Sequence, residues 1–511
     1  MSPQDSAVYP QDSAVYPQDS AANRIVGLET EYGLAYSARS GRAPDVDDVA
    51  KHLFQPVIDW GRATSVFLPN GSRLYLDVGS HPEIATAECS LLSEVLEQDR
   101  AGARTLERLA QKAQDAWEDS PHPGTIHLLR NNVDSAGNAF GCHENYMIPR
   151  KLGAARLGHT LIPFLVTRPL VCGAGHIRLI DGQPRYVLSP RARHMWEAVS
   201  SGSTRSRPMI NTRDEPHADA AKHRRLHVIV GDTNVSEAST LLKIASTWLV
   251  LDWLEAGGRS ELGEIDQPVD SLRAVSDDAD GHTILTFDTG RRMSAVDVQD
   301  YFYEQAAAHA QRNGVIQRDP LMRTALDLWR RTLDAWHAED LSSVATTLDF
   351  EAKRRLLERY AQRRGVDRDD ASVRRLELAY HELAQPHTAS LQEKLENSGL
   401  LERITRPDAV ETARVRPPHT TRALSRGALI AASHASGASY KADWMTFRLS
   451  DVTETKVLMP DPLEAASLAA SELISTLPGS GKATEPETNA AAIIDEVFAS
   501  LDEDSMVPGG L

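Results

Sequence analysis

The chain has 511 residues, more than one ordinary hydrophobic core serves, which predicts one large domain with one or more smaller pieces. Acidic residues outnumber basic ones, 72 to 55, and the net charge of -17 excludes a general affinity for nucleic-acid backbones. Cys89, Cys142 and Cys172 show no CxxC spacing, which excludes a disulfide framework or zinc knuckle and fits a reducing cytoplasm. The most apolar stretch, Thr247 to Leu254, is interrupted by Asp252 and too short to span a bilayer, and the first residues lack the basic and apolar regions of a secretory signal.

Residues 2 to 22 repeat Pro-Gln-Asp-Ser-Ala-Val-Tyr and can bury no core, so 1–23 is expected to be a disordered leader. Order is expected from Arg24. Ile25 to Gly33 reads as a strand with Glu29 and Glu31 on one face and Val26 and Leu28 on the other. Two like charges sharing a face repel unless a cation lies between them, so a divalent metal is the simplest explanation, with an exposed edge strand as the plainer one. Asp45 to Arg62 has helical spacing.

Next comes Arg73-Leu74-Tyr75-Leu76-Asp77-Val78, which turns at Gly79 into His81-Pro82-Glu83, with Thr86 and Glu88 beyond. Strand phase sends Leu74, Leu76 and Val78 to a core and projects Arg73, Tyr75 and Asp77 from the opposite face. A guanidinium, a phenol and a carboxylate together suit a phosphate, a divalent cation and a proton acceptor. Alone, this would read as a strand with a structural salt bridge. It recurs, however: after a helix from Ser93 to Trp117 and a strand from Thr125 to Leu129, the strand Cys142 to Ile148 puts His143 and Asn145 on one face. The strand Arg224 to Asp232 does the same with Arg225 and His227, opposite Leu226, Val228 and Val230. Successive polar-faced strands predict a sheet with an active site on that face.

Between those strands, the hydroxyl-rich loop Ser201 to Glu215 carries Arg205 and Arg207, suited to bidentate phosphate oxygens. Neither GxxxxGK[ST] nor a useful GxGxxG occurs, so a P-loop or Rossmann site is not supported. The helix after Ser236 places Leu241, Leu242, Ala245, Trp248, Leu249 and Trp253 in a core. Ser294 to Leu383 reads as mostly helical, and its basic run Lys353-Arg354-Arg355 predicts a solvated face or one that receives an acidic partner. A linker near Thr405 to Pro418 opens a small α/β unit with the strand Asp443 to Leu449 and a last helix to about Leu477. Residues 478–511 are expected to be an acidic, flexible tail.

The runs GLETEYG, RLYLDVGSHPE with ATAE, NNVDSAGNAFGCHENY, TRSRPMINTRDEPHADA and RRLHVIVGDTNVSE, in this order, resemble the Pup-ligase family over about Arg24 to Leu477. The resemblance implies an α+β fold: a glutamine-synthetase-like curved antiparallel sheet cradle packed with helices over 24–404, plus a small C-terminal α/β domain over 405–477. It implies an ATP-dependent carboxylate-amine ligase in the cytoplasm. Such an enzyme phosphorylates the C-terminal glutamate side chain of Pup, an acidic disordered modifier, and joins it by an isopeptide bond to lysines of target proteins, marking them for proteasomal degradation.

By the same resemblance Glu29, Tyr75 and Glu83 match magnesium ligands, Arg73 and Thr86 ATP contacts, Trp444 a nucleotide contact from the small domain, and Asp77 the proton acceptor. Strand phase and chemistry add Glu31, His143 and His227 at the metal and Arg205 and Arg207 at the phosphates. Ile84 stands where the family pattern has an aromatic residue, and the leader and tail are foreign to it. The sister enzyme, a Pup deamidase, carries an inserted loop after the first strand and a different run around Asp77 to His81. Here about forty residues of helix-bearing chain join Gly33 to Arg73, which favours the ligase. A small-molecule glutamate ligase and a non-catalytic ATP-binding scaffold are the remaining alternatives.

Overall fold

The computed structural model describes residues 24–478 except 119, 121–122, 135–136, 201–206, 213–214 and 451–453. The expected leader, Arg205, and the tail from 479 onward lie outside the described residues.

Alternating apolar and polar side chains build β1 (Val26–Glu31), which breaks at Tyr32 and resumes as β2 (Gly33–Ala38). The single helix expected next is two, α1 (Val46–Leu53) and α2 (Gln55–Gly61), because Pro56 fits the first turn of a helix and not its interior. β3 (Ser65–Phe67), β4 (Arg73–Asp77) and β5 (His81–Ala85) follow, then α3 (Leu92–Trp117), β6 (Gly124–Leu129) and β7 (Cys142–Pro149). α4 (Ala154–Thr167), α5 (Pro169–Cys172) and the hairpin β8 (His176–Ile180) with β9 (Gln183–Val187) lead to β10 (Glu197–Ser200), β11 (Pro208–Asn211) and β12 (His223–Val228).

α6 (Glu237–Glu255) starts at the N-cap Ser236, whose hydroxyl accepts from Ser239 N. After it come α7 (Pro268–Asp277), the hairpin β13 (Ile284–Thr286) with β14 (Arg292–Ser294), α8 (Ala295–Arg312), α9 (Val315–Arg318) and α10 (Pro320–His337). α11 (Asp349–Arg364), α12 (Ala371–His381) and α13 (Leu391–Asn397) complete the helical half. The C-terminal unit has α14 (Pro407–Val415), α15 (Ala423–Ala435), the antiparallel strands β15 (Tyr440–Ala442), β16 (Thr446–Leu449) and β17 (Lys456–Leu458), and α16 (Leu468–Thr476). Among the described residues no helix is long and apolar enough to cross a membrane.

The main sheet has the order β10-β11-β12-β7-β1-β5-β4-β3 and is antiparallel except between β10 and β11. The chain thus has the expected α+β class. One face of the sheet is apolar: Val26, Leu28, Tyr146, Ile148, Leu226 and Val228 share a core with Leu241, Leu242, Ala245 and Trp248 of α6. Leu74 and Ile84 pack in a second core with Leu106 and Leu109 of α3. Ile84 is buried on this helix side, where a Cβ at Gly102 of α3 would stand 3.0 Å from its Cγ2, so its departure from the family pattern does not touch the polar face.

Three further sequence expectations are corrected. Val78 is 90 % exposed instead of in the core, because β4 ends at Asp77 and the chain turns through Gly79 and Ser80. The strand expected to reach Asp232 stops at Val228. The basic run in α11 is not an open cationic face: Lys353 is buried and donates to Gly175 O, Arg354 bonds Glu351 and Glu358, and Arg355 bonds Glu351.

Candidate active site

Register, not sequence proximity, assembles the polar face. Residues directly opposite in antiparallel strands project from the same side. Glu29 lies opposite His143, Glu31 opposite Glu83, Glu83 opposite Tyr75, Asp77 opposite His81, and His227 opposite Asn145. A cavity of about 480 Å³ opens over these residues, lined by Glu29, Glu31, Tyr75, Asp77, Glu83, His143 and His227, with Arg191 and Arg207 also in its wall.

Two groups in this cavity have the donor set of a cation site. Ligand atoms of Glu29, His143 and His227 lie within 4.8 Å of one another, as do those of Glu31, Asp77 and Glu83. Burial, then the neighbouring Glu29 and Glu31, pushes the Glu83 carboxyl up to about 9. Burial also raises the Tyr75 phenol, with Glu29 and Glu83 adding to it. Glu29 behaves oppositely: burial opposes its ionisation, yet His143 and His227, with ring nitrogens 3.4 and 3.5 Å from Oε2, hold it well below the usual carboxylate range. His227 is buried, its only close polar partner among the described residues is Glu29, 3.5 Å from Nε2, and burial lowers its pKa. Two imidazoles and three carboxylates crowded onto one face, with the buried Glu83 carboxyl raised far above its usual range, fit a divalent cation. Space is reserved as well, since a Cβ at Gly141 would stand 2.3 Å from His143 Nε2 and 3.0 Å from Glu31 Oε1.

Glu29 is fixed from its other side. Asn145 Nδ2 donates to Glu29 Oε1 at 3.0 Å, and Asn145 Oδ1 accepts from Arg225 Nη1 at 2.7 Å. Beyond this relay lies a second, less polar cavity, which Glu29 also lines. Its walls include Val26, Gly27, Ala87, Met147, Pro216, His217 and Trp444, surfaces that suit a flat heteroaromatic base. Thr86 Oγ1 accepts from Leu28 N at 3.0 Å and so ties this wall to β1.

The wall contributed by the C-terminal unit is held by a buried ion cluster. Glu88 accepts from Arg422 Nε at 2.8 Å and Arg426 Nη1 at 2.9 Å. Burial opposes the charge on Glu88, but Arg426 and Arg422 together outweigh it and pull the carboxyl down to about 2. Arg426 also donates to Trp444 O at 3.1 Å and lies 5.1 Å from the centre of the Trp444 ring, while Arg422 donates to His217 O at 2.6 Å.

Of the residues expected from sequence, Glu29, Glu31, Tyr75, Asp77, Glu83, His143, His227 and Arg207 surround the first cavity, and Thr86 and Trp444 line the second. Arg73 lines neither. Its Nε and Nη2 donate to Ser65 Oγ at 3.1 and 2.9 Å, and its guanidinium lies over the Tyr75 ring at 4.6 Å. Arg207 donates to Ala139 O at 3.3 Å, and Arg205 lies outside the described residues. Arg191 is the residue that sequence reasoning misses: it is buried, donates to Phe140 O and Ile229 O, and nothing in its local sequence separates it from a surface arginine.

The family described as Pup-ligase protein matches residues 24–448. The Pup-protein ligase of Actinosynnema mirum is 45 % identical over 454 residues, which cover 89 % of this chain and 99 % of that protein. A solved structure described as the complex between prokaryotic ubiquitin-like protein Pup and its ligase PafA is 36 % identical, with a TM-score of 0.82 over 94 % of this chain and 95 % of that one. Another, the Pup ligase PafA in complex with ADP, is 37 % identical, with a TM-score of 0.75 over 91 % of this chain and 99 % of that one. With the sequence pattern matched from the first described strand to the C-terminal unit, and a relative matched over nearly its whole length, this chain belongs to the Pup-ligase family.

Proposed function

We infer that the chain is an ATP-dependent Pup-protein ligase, which activates a carboxylate of Pup with ATP and joins it to lysines of target proteins. The observation that carries this reading is Glu29, shared by a largely apolar cavity and a carboxylate-lined one: a nucleotide laid across it would direct its phosphates toward Asp77. Kinship to an ADP-bound ligase and to a ligase in complex with Pup supports both substrates.

A carboxylate is a poor acyl donor because its leaving group would be oxide. Transfer of the γ-phosphoryl group to the glutamate side chain at the C-terminus of Pup makes phosphate the leaving group instead. Trp444 and Thr86 hold the nucleotide end, and Arg73 steadies the Tyr75 ring beneath it. Arg191 and Arg207 face the carboxylates and offset charge on the transferring group, as Arg205 would from the adjoining loop. Glu29, Tyr75 and Glu83, with Glu31, His143 and His227 as further ligands, would hold Mg2+, which would offset phosphate charge. Lysine is mostly ammonium near neutral pH and cannot attack until it loses a proton. Asp77 takes that proton; the amine nitrogen then bonds to the acyl carbon as the carbon-oxygen bond to phosphate breaks. The three free, buried cysteines support a cytoplasmic setting, and residues 405–477 serve as the unit that closes the nucleotide end.

The test is a gel assay with the purified chain, Pup, a lysine-bearing protein and ATP. An ATP-dependent adduct is expected. Absence of adduct, with cleavage of a preformed conjugate instead, would replace the ligase reading by a hydrolase.

A further inference from the structure

The hairpin that presents Asp77 is turned by Val78, Gly79 and Ser80, and both Gly79 (φ 89) and Ser80 (φ 64) are left-handed. Glycine adopts that conformation freely and serine does so against its Cβ, so a glycine at 80 would relieve strain. What serine adds is a hydroxyl. Ser80 Oγ donates to Asp47 Oδ1, in the first turn of α1.

α1 is a firm post for that bond. Val49, Ala50 and Leu53 are buried, and His52 stacks on Trp117 of α3 at 3.9 Å while its Nε2 meets Ala113 O at 2.8 Å. The other flank of the hairpin is gripped too, since His81 Nδ1 donates to Tyr32 O at 3.0 Å and its ring stacks on Phe140 at 4.8 Å. Ser80 N donates to Asp77 O at 3.1 Å, so any displacement of Ser80 passes directly to the residue that carries the base. We propose that Asp47 and Ser80 form a latch that positions Asp77 for removal of the lysine proton. The latch rests on the assignment of Asp77 as base and makes Asp47 and Ser80 positioning residues.

Two acceptors separate positioning of the base from everything else the hairpin does. A lysine-bearing protein needs its ammonium deprotonated, whereas hydroxylamine is largely unprotonated at neutral pH and traps the activated carboxylate without a base. In the full-length chain with Pup and ATP, Ser80→Ala and Asp47→Ala should each lower kcat for lysine transfer roughly ten-fold. KM for ATP and the rate of hydroxamate formation should stay within about two-fold of the parent, and the double variant should be no worse than either single one. Asp47→Asn, whose amide oxygen still accepts, should keep most of the rate. Unchanged lysine transfer, parallel loss of hydroxamate, or additive losses in the double variant would each overturn the latch. Asp77→Asn serves as the control: selective loss of lysine transfer there, with none in the latch variants, sinks the latch alone. Equal loss of both products by Asp77→Asn overturns the base assignment and the latch with it.

Discussion

Asp77 and Glu83 are both carboxylates of one hairpin, yet their surroundings differ. Asp77 sits half-buried at the end of β4, open to the cavity, so Asp77→Asn keeps shape and removes only the basic oxygen. Conjugation should fall by about 10²–10⁴ with ATP affinity retained, and near-parental conjugation would remove Asp77 from the mechanism. Glu83 is raised to about 9 by burial first and then by the neighbouring Glu29 and Glu31. A carboxyl raised in the folded state stabilises the fold by holding a proton, a contribution present below the unfolded value of 4.5 and lost as pH rises through 9. Without Mg2+, the Tm of the parent should therefore fall between pH 5 and 9 relative to Glu83→Gln, and saturating Mg2+ should remove that fall. Parallel Tm curves would contradict it. Strand phase made most of this site legible, because Glu29, Glu31, His143 and His227 alternate with core residues. Phase could not reveal Arg191, whose place depends on how residues 188–194 fold back onto Phe140 and Ile229.

At the scale of elements, sequence reading succeeds where one face is wet and fails where none is. α3 and β7 were legible because burial alternates with helical or strand period. α4 is buried on every side from Thr160 to Thr167 and holds Pro163 in its interior, so neither an amphipathic stripe nor a clean helical run marks it. α11 shows the converse error. Its arginines read as a free basic face, but Arg354 and Arg355 both serve Glu351, which is fully buried. Charge reversal at Arg355 would leave that carboxylate short of a partner beside a second negative charge. Because the arginine is about one-third exposed, the loss should be on the order of 1–2 kcal/mol instead of the full cost of a broken buried pair. Arg355→Glu should thus lower Tm measurably; an unchanged Tm together with a raised KM for Pup would return α11 to the role of docking face.

Across the whole molecule, the C-terminal unit is fastened to the sheet by more than its linker. Ala428, Leu429, Phe447 and Leu473 share one core with Leu74, Leu106 and Val49, and Glu88 inserts between Arg422 and Arg426 within that contact. The linker composition near 405–418 was visible in the sequence, but this joint was not, since Glu88 lies 334 residues from Arg422. Glu88 is lowered from 4.5 to about 2 in the folded chain, against the opposing effect of burial. A carboxyl lowered on folding contributes stability that is fully present above 4.5 and is lost as pH falls toward 2; the shift corresponds to roughly 3 kcal/mol. Glu88→Gln leaves two buried guanidinium groups with a neutral neighbour, so near pH 7 it should unfold at a clearly lower denaturant concentration than the parent. As pH is lowered from 4.5 toward 2, the parent progressively loses this contribution and the variant has none to lose, so the gap between the two midpoints should narrow. Since Trp444 and His217 are held by the same arginines, the variant should also bind ATP more weakly at neutral pH. A midpoint gap that stays constant from pH 7 to about pH 3.5 would show that the Glu88 charge does not hold the joint.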